Sequence, residues 1–205
     1  MKTYNCPQCG SELPIHFKHS KLSVCNHCGS TILLEDKALR SAGQAAALAD
    51  LPSLIQMHIP FTYESQHYTP VGLVRYRFQY GLWDEWWVLD SQHRGRWLSV
   101  DEGDYAFEKP YHWLGDFPDI RNLTVGMELK QTPKIWQVTE KELALCIGTR
   151  GELPEAILTG DRMGYVHLSS ENQAIITLEY PLKSQEAPLA YSGRWLDPFA
   201  IKVAV

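Results

Sequence analysis

Four of the five cysteines lie within the first 28 residues, in two pairs whose spacing is typical of a metal site. The pairs form the pattern C-x2-C-x15-C-x2-C, and a glycine follows each pair. A structural zinc ion takes four ligands in a tetrahedron, and each tight pair places two thiolates on one side of a turn. The pattern therefore predicts one structural zinc ion held by Cys6, Cys9, Cys25 and Cys28. An iron ion would use the same ligands, so the spacing alone leaves the metal open.

A closed four-thiolate site has no open coordination position, so it would fold the N-terminal segment and would not catalyse a reaction. We predict a small zinc ribbon over residues 1–35. This segment carries three lysines against two glutamates and has no arginine. Because phosphate contacts need several basic side chains on one face, the charge favours docking to another protein over nucleic-acid binding.

The composition of the 205 residues is that of a globular protein, with 44% hydrophobic and 21% charged residues and a formal net charge of −5. A pI near 5.9 argues against a general nucleic-acid-binding surface. No apolar stretch approaches the roughly 18 residues of a membrane span, and the N-terminus lacks the apolar core of a signal peptide. We therefore expect a cytoplasmic protein without membrane insertion, whose cysteines stay reduced.

The residue pattern changes twice beyond the ribbon. Residues 36–52 are alanine-rich and lack aromatic side chains, which favours a linker, either a short helix or an extended connector. Eleven short runs in residues 53–205, beginning with 54–59, alternate apolar and polar residues and indicate strands. The predicted fold class is mainly β, with an antiparallel β-barrel or sandwich-like domain. A Gly-Arg-Trp-Leu motif at 95–98 and again at 193–196 suggests two related β-units.

Aromatic residues are concentrated between residues 75 and 90 of a chain that has seven tryptophans and ten tyrosines. Tyr76, Phe78 and Tyr80 alternate with polar residues, and Trp86 and Trp87 place indole rings on both faces of the following strand. Two interpretations stay open. The rings form buried cross-strand contacts, or they form an exposed platform for a peptide, sugar or base.

Groups that could catalyse a reaction do not form a recognised motif. The sequence has no phosphate-binding loop, dinucleotide fingerprint, nucleophile elbow or H-E-x-x-H motif. Cys146 lies in an apolar run, which predicts a small buried hydrophobe and not a nucleophile. We therefore assign no catalytic residue. For an enzymatic or small-ligand-binding β domain, the acids and bases to test first are Glu85, Glu102, Glu152, His112 and His167.

Five short motifs in the second part of the chain resemble one family. They are Pro60-Phe-Thr-Tyr-Glu64, His67-Tyr-Thr-Pro-Val-Gly72, Trp83-Asp-Glu-Trp-Trp-Val-Leu89, Gly95-Arg-Trp-Leu-Ser99 and Tyr191-Ser-Gly-Arg-Trp-Leu196. Residues 41–205 resemble a bacterial domain of unknown function, number 4178, whose members often carry an N-terminal zinc ribbon. The resemblance implies no established activity. Because genes of the family tend to accompany membrane-stress components, it implies an accessory or adaptor role at the inner face of the membrane.

These observations predict a non-enzymatic, zinc-binding adaptor or accessory protein of a bacterial multi-protein system. Its partners would be other proteins, membrane-associated ones among them. One alternative is a small-ligand-binding or enzymatic β domain with a structural ribbon. A third possibility is nucleic-acid binding through the ribbon.

Overall fold

The computed structural model describes residues 2–35, 38–131, 133–182 and 187–203. Within these residues it has sixteen strands and two short 3-10 helices, Ile120–Asn122 and Pro198–Ala200. No helix in this part of the chain is long and apolar enough to cross a membrane. The strands are β1 (Lys2–Asn5), β2 (Glu12–Ile15), β3 (Leu22–Val24), β4 (Ser30–Glu35), β5 (Ala38–Gln44), β6 (Phe61–Tyr63), β7 (Gln66–Arg77), β8 (Leu82–Asp90), β9 (Gly95–Asp101), β10 (Asp104–Pro110), β11 (Glu128–Gln131), β12 (Lys134–Leu153), β13 (Arg162–Ser169), β14 (Ala174–Pro181), β15 (Leu189–Leu196) and β16 (Lys202–Val203). The predicted mainly β fold is confirmed.

Eight antiparallel strands pair in a ring, in the order β7–β8–β9–β10–β15–β14–β13–β12. β12 closes the ring, because its 20 residues pair with β13 through residues 137–145 and with β7 through residues 145–151. Register shifts after Val138 and Cys146 mark bulges, at which a strand can bend from one partner to the next. The barrel is thus a partly ring-closed sheet. Both Gly-Arg-Trp-Leu motifs lie in this one ring, on β9 and β15, which flank β10.

Both faces of the barrel wall are buried, which explains its aromatic-rich strands. Successive residues of a strand point to opposite faces. On β8, Trp83 and Trp87 therefore join one core cluster, while Trp86 and Val88 join another on the opposite side of the wall. The three indole side chains are only 5–8% exposed. These three side chains therefore form buried core contacts, which is one of the two interpretations that the sequence leaves open.

Segments without strand structure cover the outside of the barrel. Leu48 and Ile55, from the stretch before β6, belong to the cluster that contains Trp86. Trp113 and Leu123, from the connection between β10 and β11, pack with outward-facing residues of β12, β13 and β14. Because these segments bury the outer wall, the strands can have apolar side chains on their outer face and polar side chains on their inner face.

The N-terminal ribbon is joined to the barrel by strand pairing. β1 and β2 form a separate hairpin, whereas β3, β4 and β5 form a small sheet. β3 also pairs with the last two residues of β12. The Phe17 ring meets Trp87 of the barrel edge-on, with ring centroids 5.3 Å apart. The ribbon and the barrel therefore share one hydrogen-bonded sheet.

Two segments before β6 differ from expectation. The predicted strand at 54–59 is wrong, since these residues pair with no strand. Ile55, only 2% exposed, packs on the barrel, whereas Leu54 and Ile59 are exposed. In the predicted linker 36–52, strand β5 extends the sheet of the ribbon through its pairing with β4. Residues 45–52 continue without helix, and residues 36–37 lie outside the described part of the chain.

Candidate metal centre and barrel cavity

The four cysteine sulfur atoms of the ribbon lie at the distances of a tetrahedral metal site. All four Sγ atoms are within 4.8 Å of one another. The Sγ atoms of Cys6 and Cys28 are 3.7 Å apart, and those of Cys9 and Cys25 are 3.8 Å apart. Thiolates about 2.3 Å from a central zinc ion define a tetrahedron with edges of about 3.8 Å, whereas a disulfide needs a separation of about 2.05 Å. The four cysteines are therefore close enough to hold one metal ion.

The two cysteine pairs have matching backbone turns. The N–H of Gly10 donates to the carbonyl of Cys6 at 2.8 Å, and the N–H of Gly29 donates to the carbonyl of Cys25 at 2.9 Å. Both glycines have the positive φ, 77° and 70°, that a residue without Cβ adopts at little cost. The C-x2-C-G pattern thus closes two equivalent turns, whose sulfur atoms point to a common centre.

The thiols of Cys6 and Cys28 differ in pKa because their surroundings differ. The Ser30 hydroxyl lies 3.1 Å from the Sγ of Cys28, and hydrogen bonds from the side chain and backbone of Ser30 lower the pKa of Cys28 to about 6. Burial raises the pKa of Cys6 to about 11. Because a metal binds thiolates, metal binding at this centre is coupled to proton release.

Glu152, at the end of β12, fastens the ribbon to the barrel. Its side chain is 3% exposed and accepts hydrogen bonds from the backbone N–H of His16 at 2.9 Å and of Phe17 at 3.0 Å. The Ser20 hydroxyl donates to the same carboxylate at 2.8 Å, and the Nδ1 of His16 lies 2.8 Å from it. All these donors come from the segment between β2 and β3. Glu152 is therefore a docking residue of the ribbon.

A second candidate site lies inside the barrel. A cavity of about 240 Å³ is lined by β7, β13, β14 and the segment after β12. A narrow inner part of about 20 Å³ adjoins it. Tyr76, Glu155 and Glu179 line both parts. Further lining residues of the inner part are Glu85, Trp97, Glu108 and Tyr191.

The glutamates of the cavity resist ionisation. Burial, followed by the charge of Glu108, raises the pKa of Glu85 to about 8. Burial and the charges of the other three glutamates raise the pKa of Glu179 well above its usual range. The pKa values of Glu108 and Glu155 are raised by burial as well. Because a raised pKa favours the protonated form of a carboxyl group, a bound cation would favour the ionisation of these acids.

The acids and bases suggested by the sequence do not converge. Glu85 lines the cavity, whereas Glu152 docks the ribbon. Glu102 is exposed in the turn between β9 and β10, and His112 is exposed after β10. The Nδ1 of His167, on β13, lies 2.9 Å from a glutamate of β12. These five groups do not form one catalytic set.

Sequence reasoning missed three of the four cavity glutamates. Glu108 follows the apolar residues of β10, and Glu179 lies within the apolar run of β14. An acid at an alternate position of an otherwise apolar strand was the available signal of a polar barrel interior. Glu155 lies outside the strands and carried no such signal. Cys146 is 1% exposed, as the sequence predicted.

Comparisons with known proteins address the barrel. A family model described as a domain of unknown function, DUF4178, matches residues 59–198, about two thirds of the chain. No match was found among curated proteins or among solved structures. The matched range contains β6 to β15, which include every strand of the ring, while the ribbon precedes it. The chain therefore belongs to the DUF4178 family.

Proposed function

We propose that this chain is a non-enzymatic accessory protein that carries one structural zinc ion on Cys6, Cys9, Cys25 and Cys28. The observation behind this proposal is the pair of sulfur separations, 3.7 and 3.8 Å, which equal the edge of a zinc–thiolate tetrahedron. A closed four-sulfur site leaves no position for a substrate, so the metal would act by folding the ribbon.

Metal analysis of the purified full-length chain tests the zinc centre. We expect about one zinc ion per chain and no absorbance from iron–thiolate charge transfer. Cys25→Ala should abolish zinc binding, because three thiolates hold the ion far less tightly than four. Cys146→Ala is the matched control, since it removes a buried cysteine outside the cluster. Protein that is fully folded without metal, or that contains iron, would overturn the assignment.

We further propose that the protein acts as an adaptor for other proteins, including membrane-associated ones, in the bacterial cytoplasm. The docking of the ribbon on the barrel supports this role, because a ribbon held in place presents one fixed surface. A reducing compartment also keeps the four thiols available for a metal. The separation of the five candidate acids and bases supports a non-enzymatic role, because these groups do not meet as one catalytic set.

Quantitative capture from the native organism tests the adaptor role. We expect a partner recovered at near-equal amounts with the wild-type chain, retained by Cys146→Ala and lost with Cys25→Ala. Recovery of the same proteins with an unrelated bait would contradict the role. Titration with DNA at two salt concentrations tests the third possibility, because nucleic-acid binding should weaken steeply with salt.

A further inference from the structure

The described lining of the barrel cavity is acidic. Its four glutamates come from four separate places, since Glu85 lies on β8, Glu108 on β10, Glu155 after β12 and Glu179 on β14. Among the described lining residues, the one basic side chain is Arg162, which is exposed. Within the described residues, the fold thus gathers several acids around one cavity without a buried cation to balance them.

Glu179 is the member of this group that is left without a donor. The other three carboxyl groups accept hydrogen bonds from the barrel wall, from Trp83 at 3.0 Å, Thr177 at 2.7 Å and Tyr191 at 2.9 Å. No hydrogen bond from a described residue reaches Glu179, although it lines both parts of the cavity and its pKa is strongly raised by burial. A carboxyl group that faces the cavity without a donor from the protein is free to accept hydrogen bonds from a ligand.

We propose that the cavity binds a small organic ammonium ion, whose N–H groups donate to Glu179 and Glu155 and whose carbon chain contacts the Tyr76 ring. Such an ion supplies a positive charge and a hydrogen-bond donor for Glu179. Aromatic ring faces also attract organic cations. A volume of about 240 Å³ selects a compact ligand, because pockets for drug-sized molecules start at roughly 300 Å³.

A divalent metal ion fits this cavity less well than an ammonium ion. Metal coordination requires several ligand atoms to converge on one point. Within the described residues, the cysteine cluster is the one group in which three or more potential ligand atoms come close together. The cavity carboxyl groups are instead distributed along the lining, where the N–H groups of a small organic cation can reach more than one of them.

Ammonium binding should release protons. A carboxyl group that receives the cation ionises, its proton passes to the buffer, and a carboxylate–ammonium pair remains. Affinity should therefore increase as the pH rises from 6 to 8.5, while a simple aliphatic amine stays protonated. Besides the four glutamates, the charged or titratable groups of the described residues that line the cavity or share the inner face of the wall include Tyr76, Asp101, Glu140, Glu142, Cys146, Asp161, Arg162, Tyr165, His167 and Tyr191.

Isothermal titration of the full chain tests the cavity. The probes are n-butylammonium, benzylammonium and 1,4-butanediammonium, with n-butanol and butanoate as neutral and anionic controls. We expect at least one ammonium ion to bind and to bind at least tenfold more tightly at pH 8.5 than at pH 6. The neutral and anionic controls should not bind. The heat should also differ between two buffers of unlike ionisation enthalpy, because protons are released.

Glu179→Gln should weaken ammonium binding at least tenfold, since the amide keeps the shape of the side chain and removes its charge. The matched control is Glu128→Gln on β11, an exposed glutamate outside the cavity. Glu155→Gln serves as the second variant if Glu179→Gln does not fold. The proposal is wrong if millimolar ammonium ions give no binding heat, if n-butanol binds as tightly, or if the cavity variants bind like Glu128→Gln. Zinc content, measured on the same samples, reports separately on the ribbon.

Discussion

Glu152→Ala should detach the ribbon from the barrel and leave the cysteine cluster intact. The substitution removes the acceptor of three donors, the N–H groups of His16 and Phe17 and the hydroxyl of Ser20, at 2.8–3.0 Å. Each hydrogen bond to a charged group contributes roughly 1.5–3 kcal/mol. A ribbon that stayed docked would therefore lose about 4.5–9 kcal/mol, a large share of the roughly 5–15 kcal/mol that stabilises a domain. Undocking, which lets water reach these donors, becomes the lower-energy outcome.

Hydrogen exchange measured by mass spectrometry can follow this undocking directly. In the wild type, the Lys21 N–H donates to the Leu153 carbonyl at 2.8 Å where β3 meets β12. Amides of β3 should exchange much faster in Glu152→Ala, whereas amides of β13 and β14 should change little. Tryptophan fluorescence should change as Phe17 leaves Trp87, and bound zinc should stay near one ion per chain. Glu128→Ala is the exposed control, with an expected loss within about 0.5 kcal/mol. The reasoning is refuted if the β3 amides exchange as slowly in Glu152→Ala as they do in Glu128→Ala.

Two further predictions concern ionisable groups of the barrel wall. Because burial raises the pKa of Glu85 from its usual 4.5 to about 8, the folded state holds an extra proton between these values, so stability should fall as the pH rises through this range. Urea midpoints at pH 5, 6.5 and 8 should show the fall, Glu85→Gln should flatten it, and a wild-type midpoint that rises with pH would contradict it. Arg75 pairs with Asp84 through contacts of 2.6 and 2.8 Å, with both side chains 5–6% exposed. Arg75→Leu should lower the free energy of unfolding, measured with urea, by about 3–5 kcal/mol, because it leaves the buried carboxylate without a partner. Adding Asp84→Leu should recover most of the loss. A double variant that is less stable than Arg75→Leu would argue against this account.

The cysteine cluster was predictable because its geometry is set by short-range chemistry. Two residues between paired cysteines and a glycine after them define a turn almost independently of the rest of the fold. The mainly β character was predictable for a similar reason, since alternation along a strand is a local pattern. The segment at 54–59 shows the limit of that pattern. Its Ile55 is buried against the outer barrel wall with no strand partner, and local sequence cannot distinguish this outcome from a strand.

The cavity needed information that local patterns do not contain. Glu85 was a candidate from the sequence, but its neighbours in space, Glu108 and Glu179, lie on other strands of the ring. Whether a strand residue faces the interior depends on register, and register depends on which strands pair. The bend of β12 from β13 to β7 closes the ring and so decides that these acids meet.

The sequence by itself determined the four metal-binding candidates and the β class. The spacing of the cysteines is sufficient for the first, and the alternation of apolar and polar residues along a strand is sufficient for the second. It also carried the family motifs that the match to residues 59–198 bears out. Only the tertiary structure decided that the ribbon is fastened through Glu152 and that four glutamates line one cavity. These contacts join residues tens of positions apart, and burial, which raises the pKa values of the acids, exists only once the barrel has closed.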